Sequence, residues 1–178
     1  MNKQTKRPMT RRVGLGAVLL TLMANMTLGA TNFWTGLGDG LHWDDAANWS
    51  LGQPAAQQDV AVTNAAHQLL LAGETPVLGS FTLYGGTLTM TNWATRLQAG
   101  EVTIQQGFLT LPPAFNESQM SNRIWIACAD FTLAAGATID VDARGYLSGS
   151  GPGKGVTTAS GAGYGGVGAT GGGSWSDA

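Results

Sequence analysis

Three aspartates in the second half of the chain have the side chains best suited to metal chemistry. Asp140 and Asp142 stand two positions apart in a stretch with the pattern of a β-strand, so both carboxylates are expected on one face, and Asp130 lies close before them. Ca²⁺ is a hard cation that binds about six to eight oxygen ligands. The sequence therefore allows a Ca²⁺ site at Asp130, Asp140 and Asp142. The alternative is a solvated outer face beside inward-pointing Ile139 and Val141.

Three tryptophans near the start of the chain form a second candidate set. Trp34, Trp43 and Trp49 could stack on sugar rings if their faces are exposed, as aromatic residues do in carbohydrate-binding modules. The alternative is a structural cap, in which the rings cover the apolar end of a β-structure. Polar residues between them, such as Asp45 and Asn48, are typical of tight turns. Spacing alone leaves both interpretations open.

No arrangement of catalytic residues is visible in the sequence. His42 and His67 have no Ser or Cys beside them in a nucleophile motif, and the single cysteine, Cys128, lies in an apolar run typical of a buried thiol. A lyase acting on acidic polysaccharides needs several cations along one face, but the basic residues after position 30 do not follow a common repeat. We therefore expect no enzymatic activity and, Ca²⁺ aside, no cofactor. The basic residues in question are Arg96, Arg123, Arg144 and Lys154.

Charge and composition restrict the class of partner. Charged residues make up 11% of the chain, and five of its nine basic residues lie within the first twelve positions. The remainder has four basic against eleven acidic groups, a net charge of −7. Nucleic-acid binding depends on neutralising phosphates with Lys and Arg, so we expect no nucleic-acid partner.

The N-terminus has the order of a secretory signal peptide. A basic stretch at 3–12 precedes an apolar run at 13–28 and the small residues Gly29 and Ala30, which predicts a signal peptide over 1–30 and an exported, secreted or cell-surface protein. The apolar run is shorter than the roughly twenty residues a membrane span needs, so we expect no stable span after cleavage. Arg11 and Arg12 also resemble part of a twin-arginine signal, and the export route stays open.

Short alternations of apolar and polar residues recur through the middle of the chain. Such alternation is typical of half-buried strands, and a constant period indicates windings that stack like residues on one another. We therefore predict an all-β fold, a right-handed parallel β-helix over 60–144 preceded by a cap segment at 31–59; the alternative is an antiparallel β-sandwich. One series, Val60-x-Val62, Phe81-x-Leu83, Val102-x-Ile104 and Ile124-x-Ile126, recurs at nearly equal steps. A second comprises Leu69-x-Leu71, Leu88-x-Met90, Leu109-x-Leu111 and Phe131-x-Leu133.

The segment at 145–178 differs in character from the rest. It contains 13 glycines in 34 positions, a composition typical of a flexible loop because so little apolar surface can offset the entropy of ordering glycine. A β-helix needs its last winding covered, since an open strand ladder invites pairing with other chains. We therefore expect the chain to be the first part of a longer protein.

Two segments carry a resemblance to known proteins. The first comprises Phe33-Trp34-Thr35-Gly36, Trp43-Asp44-Asp45-Ala46-Ala47-Asn48-Trp49-Ser50, Pro54 and Asp59-Val60-Ala61-Val62. It resembles the opening of large secreted or autotransporter-like β-helix proteins of Gram-negative bacteria, of the adhesin-type passenger kind. The run at 133–146 is similar to another segment of such proteins. The resemblance implies a secreted or surface-displayed solenoid.

These observations lead to two functional hypotheses. The first is a non-catalytic structural or adhesive module, the N-terminal part of a larger secreted or cell-surface protein. The second is the leading segment of a polysaccharide-binding or polysaccharide-degrading β-helix protein. The expected partner is an extracellular polysaccharide or the surface of a host or neighbouring cell, and the sequence does not decide the oligomeric state.

Overall fold

The computed structural model describes residues 29–116, 123–147 and 150–151. The predicted signal peptide at 1–30 lies almost wholly outside these ranges, as does most of the glycine-rich segment. The described part is all-β apart from one 3-10 turn at Ala46–Asn48, and it holds no helix long and apolar enough to cross a membrane. Its strands are β1 (Asn32–Phe33), β2 (Asp59–Val62), β3 (Gln68–Leu71), β4 (Leu78–Leu83), β5 (Thr87–Met90), β6 (Leu97–Ile104), β7 (Gly107–Thr110), β8 (Ile126–Ala127), β9 (Asp130–Leu133) and β10 (Ala137–Asp140).

The strands form two sheets, and all pairings between these strands are parallel. The first sheet has the order β1-β2-β4-β6, with β8 and β9 both pairing with β6. The second has the order β3-β5-β7-β10. From β2 to β7 the chain therefore passes from one sheet to the other and back at each step. This all-parallel arrangement is compatible with a β-helix, and it is the opposite of the pairing that an antiparallel sandwich requires.

The apolar alternation in the sequence positions the core between the sheets. In the first sheet Val60 pairs with Phe81 and Phe81 with Val102, and all three side chains are buried. In the second sheet Leu69, Leu88 and Leu109 pair in the same way. Because side chains alternate between the faces of a strand, the polar residues between these apolar ones point outward. The predicted register is confirmed for these three passes of the chain through the two sheets, β2–β3, β4–β5 and β6–β7, and we call each such pass a winding.

The predicted register of the fourth winding is wrong. Phe131 pairs with Val102 in the first sheet and Ile139 pairs with Leu109 in the second, whereas Ile126 pairs with Leu97 at the beginning of β6. A constant repeat would pair Val102 with Ile124, so the fourth winding is longer than the three before it. The additional residues lie between β7 and β8, where the pair Pro112-Pro113 interrupts strand pairing because proline has no N–H to donate.

The fourth winding is also less buried than the first three. Phe131 and Leu133 are 44% and 46% exposed, whereas Phe81 and Leu83, which occupy the same register positions two windings earlier, are fully buried. Together with Ile124, Ile126, Cys128 and Ile139, Phe131 lines an open concavity at this end of the sheets. Cys128 is therefore partly buried, not fully enclosed as the sequence suggests.

Candidate functional site

The three N-terminal tryptophans pack on one another at the β1 end of the first sheet. The ring centroids of Trp34 and Trp49 are 4.9 Å apart, those of Trp43 and Trp49 are 4.7 Å apart, and Trp43 contacts Phe81 of the core. The exposed fractions of Trp34, Trp43 and Trp49 are 2%, 4% and 4%. The rings thus occupy the positions that the cap interpretation requires and present no open face. Sugar binding by these residues stays a prediction that would need the cap to open.

A buried asparagine organises the loop that carries these rings. The Asn48 Oδ1 accepts from the backbone N–H of Gly38 at 3.0 Å and of Gly40 at 2.9 Å. Its Nδ2 donates to Oδ1 of Asp39 at 2.8 Å and to the carbonyl of His42 at 3.0 Å. The amide therefore uses two acceptor and two donor positions, which is its full hydrogen-bonding capacity. The loop conformation depends on this one side chain.

Asp39 and His42 form an exposed hydrogen-bonded pair next to Asn48, which is an ion pair when His42 is protonated. The Oδ2 of Asp39 lies 2.5 Å from Nδ1 of His42. Hydrogen bonds to the Asp39 carboxylate, first from the backbone N–H of Leu41 and then from Asn48 and His42, hold the pKa of Asp39 well below its usual range. The same contact, through the hydrogen bond from its ring to Asp39, raises the pKa of His42.

The stability of the fold is expected to depend on pH through this pair. The contribution of Asp39, whose folded pKa is lowered, is present above its ordinary pKa of 3.8 and is lost as the pH falls from there toward the lowered value. The contribution of His42, whose folded pKa is raised, is present below its ordinary pKa of 6.5 and is lost as the pH rises through the raised value. The melting temperature should therefore be highest between the two ordinary pKa values, pH 3.8 and pH 6.5, where both contributions are present. The margin should be modest because both groups are exposed.

The replacement His42→Gln tests this pH dependence, with the melting temperature measured by circular dichroism from acid to alkaline pH. The variant should lose most of the decline on the alkaline side while the decline on the acid side persists. An alkaline decline of the same size in the variant and the original chain would show that another group causes it.

The aspartates predicted to bind Ca²⁺ are divided between two sheets and a turn. Asp130 begins β9 and pairs with Glu101 in the first sheet, while Asp140 ends β10 in the second sheet. Asp142 lies in the turn after β10, where its backbone N–H donates to Oδ1 of Asp140 at 3.0 Å. The expectation that Asp140 and Asp142 share one strand face is therefore wrong, because the strand ends at Asp140. Ca²⁺ binding stays a prediction, and the described ranges hold no group of three metal-ligating side chains in a suitable arrangement.

Two tryptophans and two arginines contact one another in the ranges 93–96 and 123–125, and we call them the Arg–Trp ladder. The Cζ atom of Arg123 lies 4.1 Å from the ring centroid of Trp125 and 4.6 Å from that of Trp93. The Cζ atom of Arg96 lies 4.6 Å from the Trp125 ring. Arg96 also forms an ion pair with Glu74, with 2.9 Å between Nη2 and Oε2. Guanidinium groups thus alternate with indole rings in the order Trp93, Arg123, Trp125 and Arg96.

Backbone pairing between windings positions the ladder. The N–H of Leu97 donates to the carbonyl of Trp125 at 3.0 Å, and the N–H of Thr75 donates to the carbonyl of Arg96 at 3.0 Å. Leu97 and Thr75 are buried. Arg96 and Glu74 directly precede these two residues, and Trp125 lies beside Arg96 on the next winding. Their side chains therefore point outward. Three successive windings therefore contribute one outward residue each to the same row.

The ladder carries a positive charge on a protein that is otherwise acidic. Two of the four basic residues after position 30 belong to it. Glu74 neutralises Arg96, but no described carboxylate lies within ion-pairing distance of Arg123. The Nε atoms of both arginines are buried and have no hydrogen-bond partner among the described residues, while Trp93 is 47% exposed.

The expectation that the basic residues do not line one face is wrong for Arg96 and Arg123. The separation of these two residues in the sequence does not fit the repeat of the first three windings. The fourth winding is longer, so Trp125 comes into register with Arg96, and Arg123 lies two positions before it. The only local signal is that a Trp and an Arg occur close together twice, in Trp93-Ala-Thr-Arg96 and in Arg123-Ile-Trp125.

Comparisons with known proteins do not assign the chain to a family. A scan against models of protein families finds no match. Searches of curated proteins and of solved structures find no match either. The resemblance to secreted and autotransporter-like β-helix proteins therefore stays a prediction.

Proposed function

We propose that the chain is a non-catalytic module of an exported protein, in which a right-handed parallel β-helix acts as a rigid scaffold that displays side chains along its outer faces. The observation that carries this proposal is the repeated, in-register pairing of strands that alternate between two parallel sheets. Stacking of this kind gives a fixed spacing of about 4.8 Å between outward residues of successive windings.

Backbone hydrogen bonds before β4 and at the beginning of β6 also connect consecutive windings. They join residues 73–75 with Arg96, and Leu97 with Trp125. These bonds support a continuous stack of windings over two sheets joined by unrelated loops. Crossover connections between parallel strands of one sheet are almost always right-handed, which supports the proposed hand.

The structure at the two ends of the sheets supports the proposal that the chain is the first part of a longer solenoid. At the β1 end, the packed rings of Trp34, Trp43 and Trp49 cover the core. At the other end, β9 and β10 each have a partner strand on one side only among the described residues, and apolar residues such as Phe131 are partly exposed. We propose that further windings cover this end in the complete protein.

The basic and apolar N-terminal sequence supports export. The test is to express the full chain in a Gram-negative host and determine its cellular location and its N-terminus. The mature protein should be recovered outside the cytoplasm, with an N-terminus near Thr31 by mass spectrometry. A chain that keeps Met1 or an uncut N-terminal segment and stays in the cytoplasm would contradict the proposal. The double replacement of Arg11 and Arg12 by Lys serves as a comparison, because it blocks only the twin-arginine route.

A further inference from the structure

We infer that the Arg–Trp ladder is a binding site for a carboxylate-bearing polysaccharide, that is, a chain of uronate sugars. This inference adds a ligand to the scaffold proposed above and rests on its stacking of windings, but it does not depend on export. The site comprises the exposed ring of Trp93 and the guanidinium of Arg123, supported by Trp125 and Arg96.

Arg123 is the residue suited to the carboxylate. The Cζ atom of its guanidinium lies over the rings of Trp93 and Trp125, and a guanidinium that stacks on an aromatic face keeps its terminal N–H groups at its free edge. A guanidinium edge binds a carboxylate through two parallel hydrogen bonds. No described carboxylate is within ion-pairing distance of Arg123, whereas Arg96 already pairs with Glu74. The charge available to a ligand is therefore that of Arg123.

Trp93 is suited to the sugar ring. It is 47% exposed, in contrast to the three buried tryptophans of the cap, and its contact with Arg123 orients the ring. An exposed indole offers a large apolar surface at small entropic cost, and the apolar face of a pyranose ring is its natural partner. A sugar on Trp93 would then carry its carboxylate next to Arg123.

Arg96 and Trp125 act as the support of this site. The ion pair between Arg96 and Glu74 fixes the guanidinium on one winding, and the Trp125 ring contacts both Arg96 and Arg123. Because Arg123 is held between rings before any ligand binds, less conformational entropy is lost on binding. This arrangement distinguishes the ladder from a surface arginine that is free to move.

The number of cations in the ladder suits a ligand held by one carboxylate better than a ligand that depends on many neutralised phosphates. Affinity for a polyphosphate grows with the number of phosphates that Lys and Arg neutralise. The chain after position 30 has a net charge of −7, and the ladder offers one arginine without a described ion-pair partner. One carboxylate bound by Arg123, on a sugar stacked on Trp93, needs no more than these two groups.

The test measures binding of an oligogalacturonate and of its methyl ester to the full chain by isothermal titration calorimetry. The acid should bind and the ester, which has the same sugars without the charge, should bind at least about tenfold more weakly, the factor expected for a lost charge-assisted hydrogen bond. Arg123→Gln should weaken binding of the acid by a similar factor. Trp93→Ala, at an exposed position, should weaken binding of both ligands.

Two control variants remove a charge or a ring elsewhere. Arg144→Gln removes one positive charge outside the ladder, and Tyr84→Ala removes an aromatic ring that is also exposed. Both should bind the acid as the original chain does. Arg123→Lys keeps the charge without the planar group, and it should bind about as poorly as Arg123→Gln.

Several results would overturn the inference. They are the absence of binding of the acid, equal binding of acid and ester, equal weakening by Arg144→Gln and Arg123→Gln, and tighter ladder-dependent binding of single-stranded DNA than of the acid. Melting curves of the same samples separate these failures from loss of the scaffold, since a folded chain without binding leaves the scaffold proposal intact. Export of the Arg123→Gln chain should be unchanged.

Discussion

The replacement Ile104→Asp is expected to unfold the protein. Ile104 is fully buried in β6, where it pairs with Leu83 on one side and Leu133 on the other. A carboxylate at this position would be taken out of water among buried apolar side chains such as Leu83, which is costly for an unpaired charge. The expected loss exceeds about 4 kcal/mol, which is comparable to the whole stability of a small domain.

Thr103→Asp is the matched control for this prediction. Thr103 is the neighbour of Ile104 in the same strand and points to the opposite, outer face, where it pairs with Thr82 and Thr132. The same charge introduced there should change stability by about 0.5 kcal/mol or less. Chemical denaturation of both variants makes the comparison. A soluble Ile104→Asp chain that melts cooperatively near the original temperature would show that Ile104 does not lie in the core.

The replacement Asn48→Ala is expected to have the next largest effect. It removes the acceptor of two backbone N–H groups, those of Gly38 and Gly40, and the donor to the His42 carbonyl, in a residue that is fully buried. These bonds are only partly buried, because Gly38 and His42 are exposed and Gly40 is half-buried, so water can replace some of them and a loss of about 1 to 3 kcal/mol is expected. Tryptophan fluorescence should shift to longer wavelength, because Trp49 follows Asn48 directly in the cap.

Asn64→Ala provides the comparison for Asn48. The Asn64 side chain is exposed and makes one local hydrogen bond, from the backbone N–H of Ala66 to its Oδ1 at 2.9 Å. Its loss should cost well under about 1 kcal/mol, since solvent replaces an exposed partner. If the two variants unfolded at the same denaturant concentration with unchanged fluorescence, the four hydrogen bonds of Asn48 would not hold the cap together.

The sequence predicts the first three windings correctly because their physical cause is local. Alternate residues of a strand point to opposite faces, and residues such as Phe81 and Val102 are spaced by a constant repeat, so period and burial can be recognised without coordinates. The same approach fails at the fourth winding. Ile124-x-Ile126 and Phe131-x-Leu133 have the right pattern, but their local sequence does not show that the segment between β7 and β8 lengthens the repeat.

The candidate site is harder to predict for the same reason. The Arg–Trp ladder depends on the length of the segment between β7 and β8, because only a longer winding brings Trp125 beside Arg96. The asparagine network of the cap depends on a loop conformation in which Gly36 and Gly40 have positive φ angles of 66° and 72°. Such long-range or conformational causes leave little trace in residue spacing, although the residue types themselves, Trp, Arg and Asn, are evident in the sequence.

Disulfide trapping tests the register of the fourth winding, on which both the scaffold and the ladder depend, most directly. In a Cys128→Ser background, cysteines at Thr103 and Thr132 should form a disulfide, because paired residues of adjacent parallel strands have Cα atoms about 4.8 Å apart, within the range that a disulfide spans. Cysteines at Thr82 and Thr103 serve as the positive control. A cysteine at Thr103 should not cross-link to a cysteine at Trp125, the position that a constant repeat would place beside it. A disulfide between positions 103 and 125, with none between 103 and 132, would contradict the observed register.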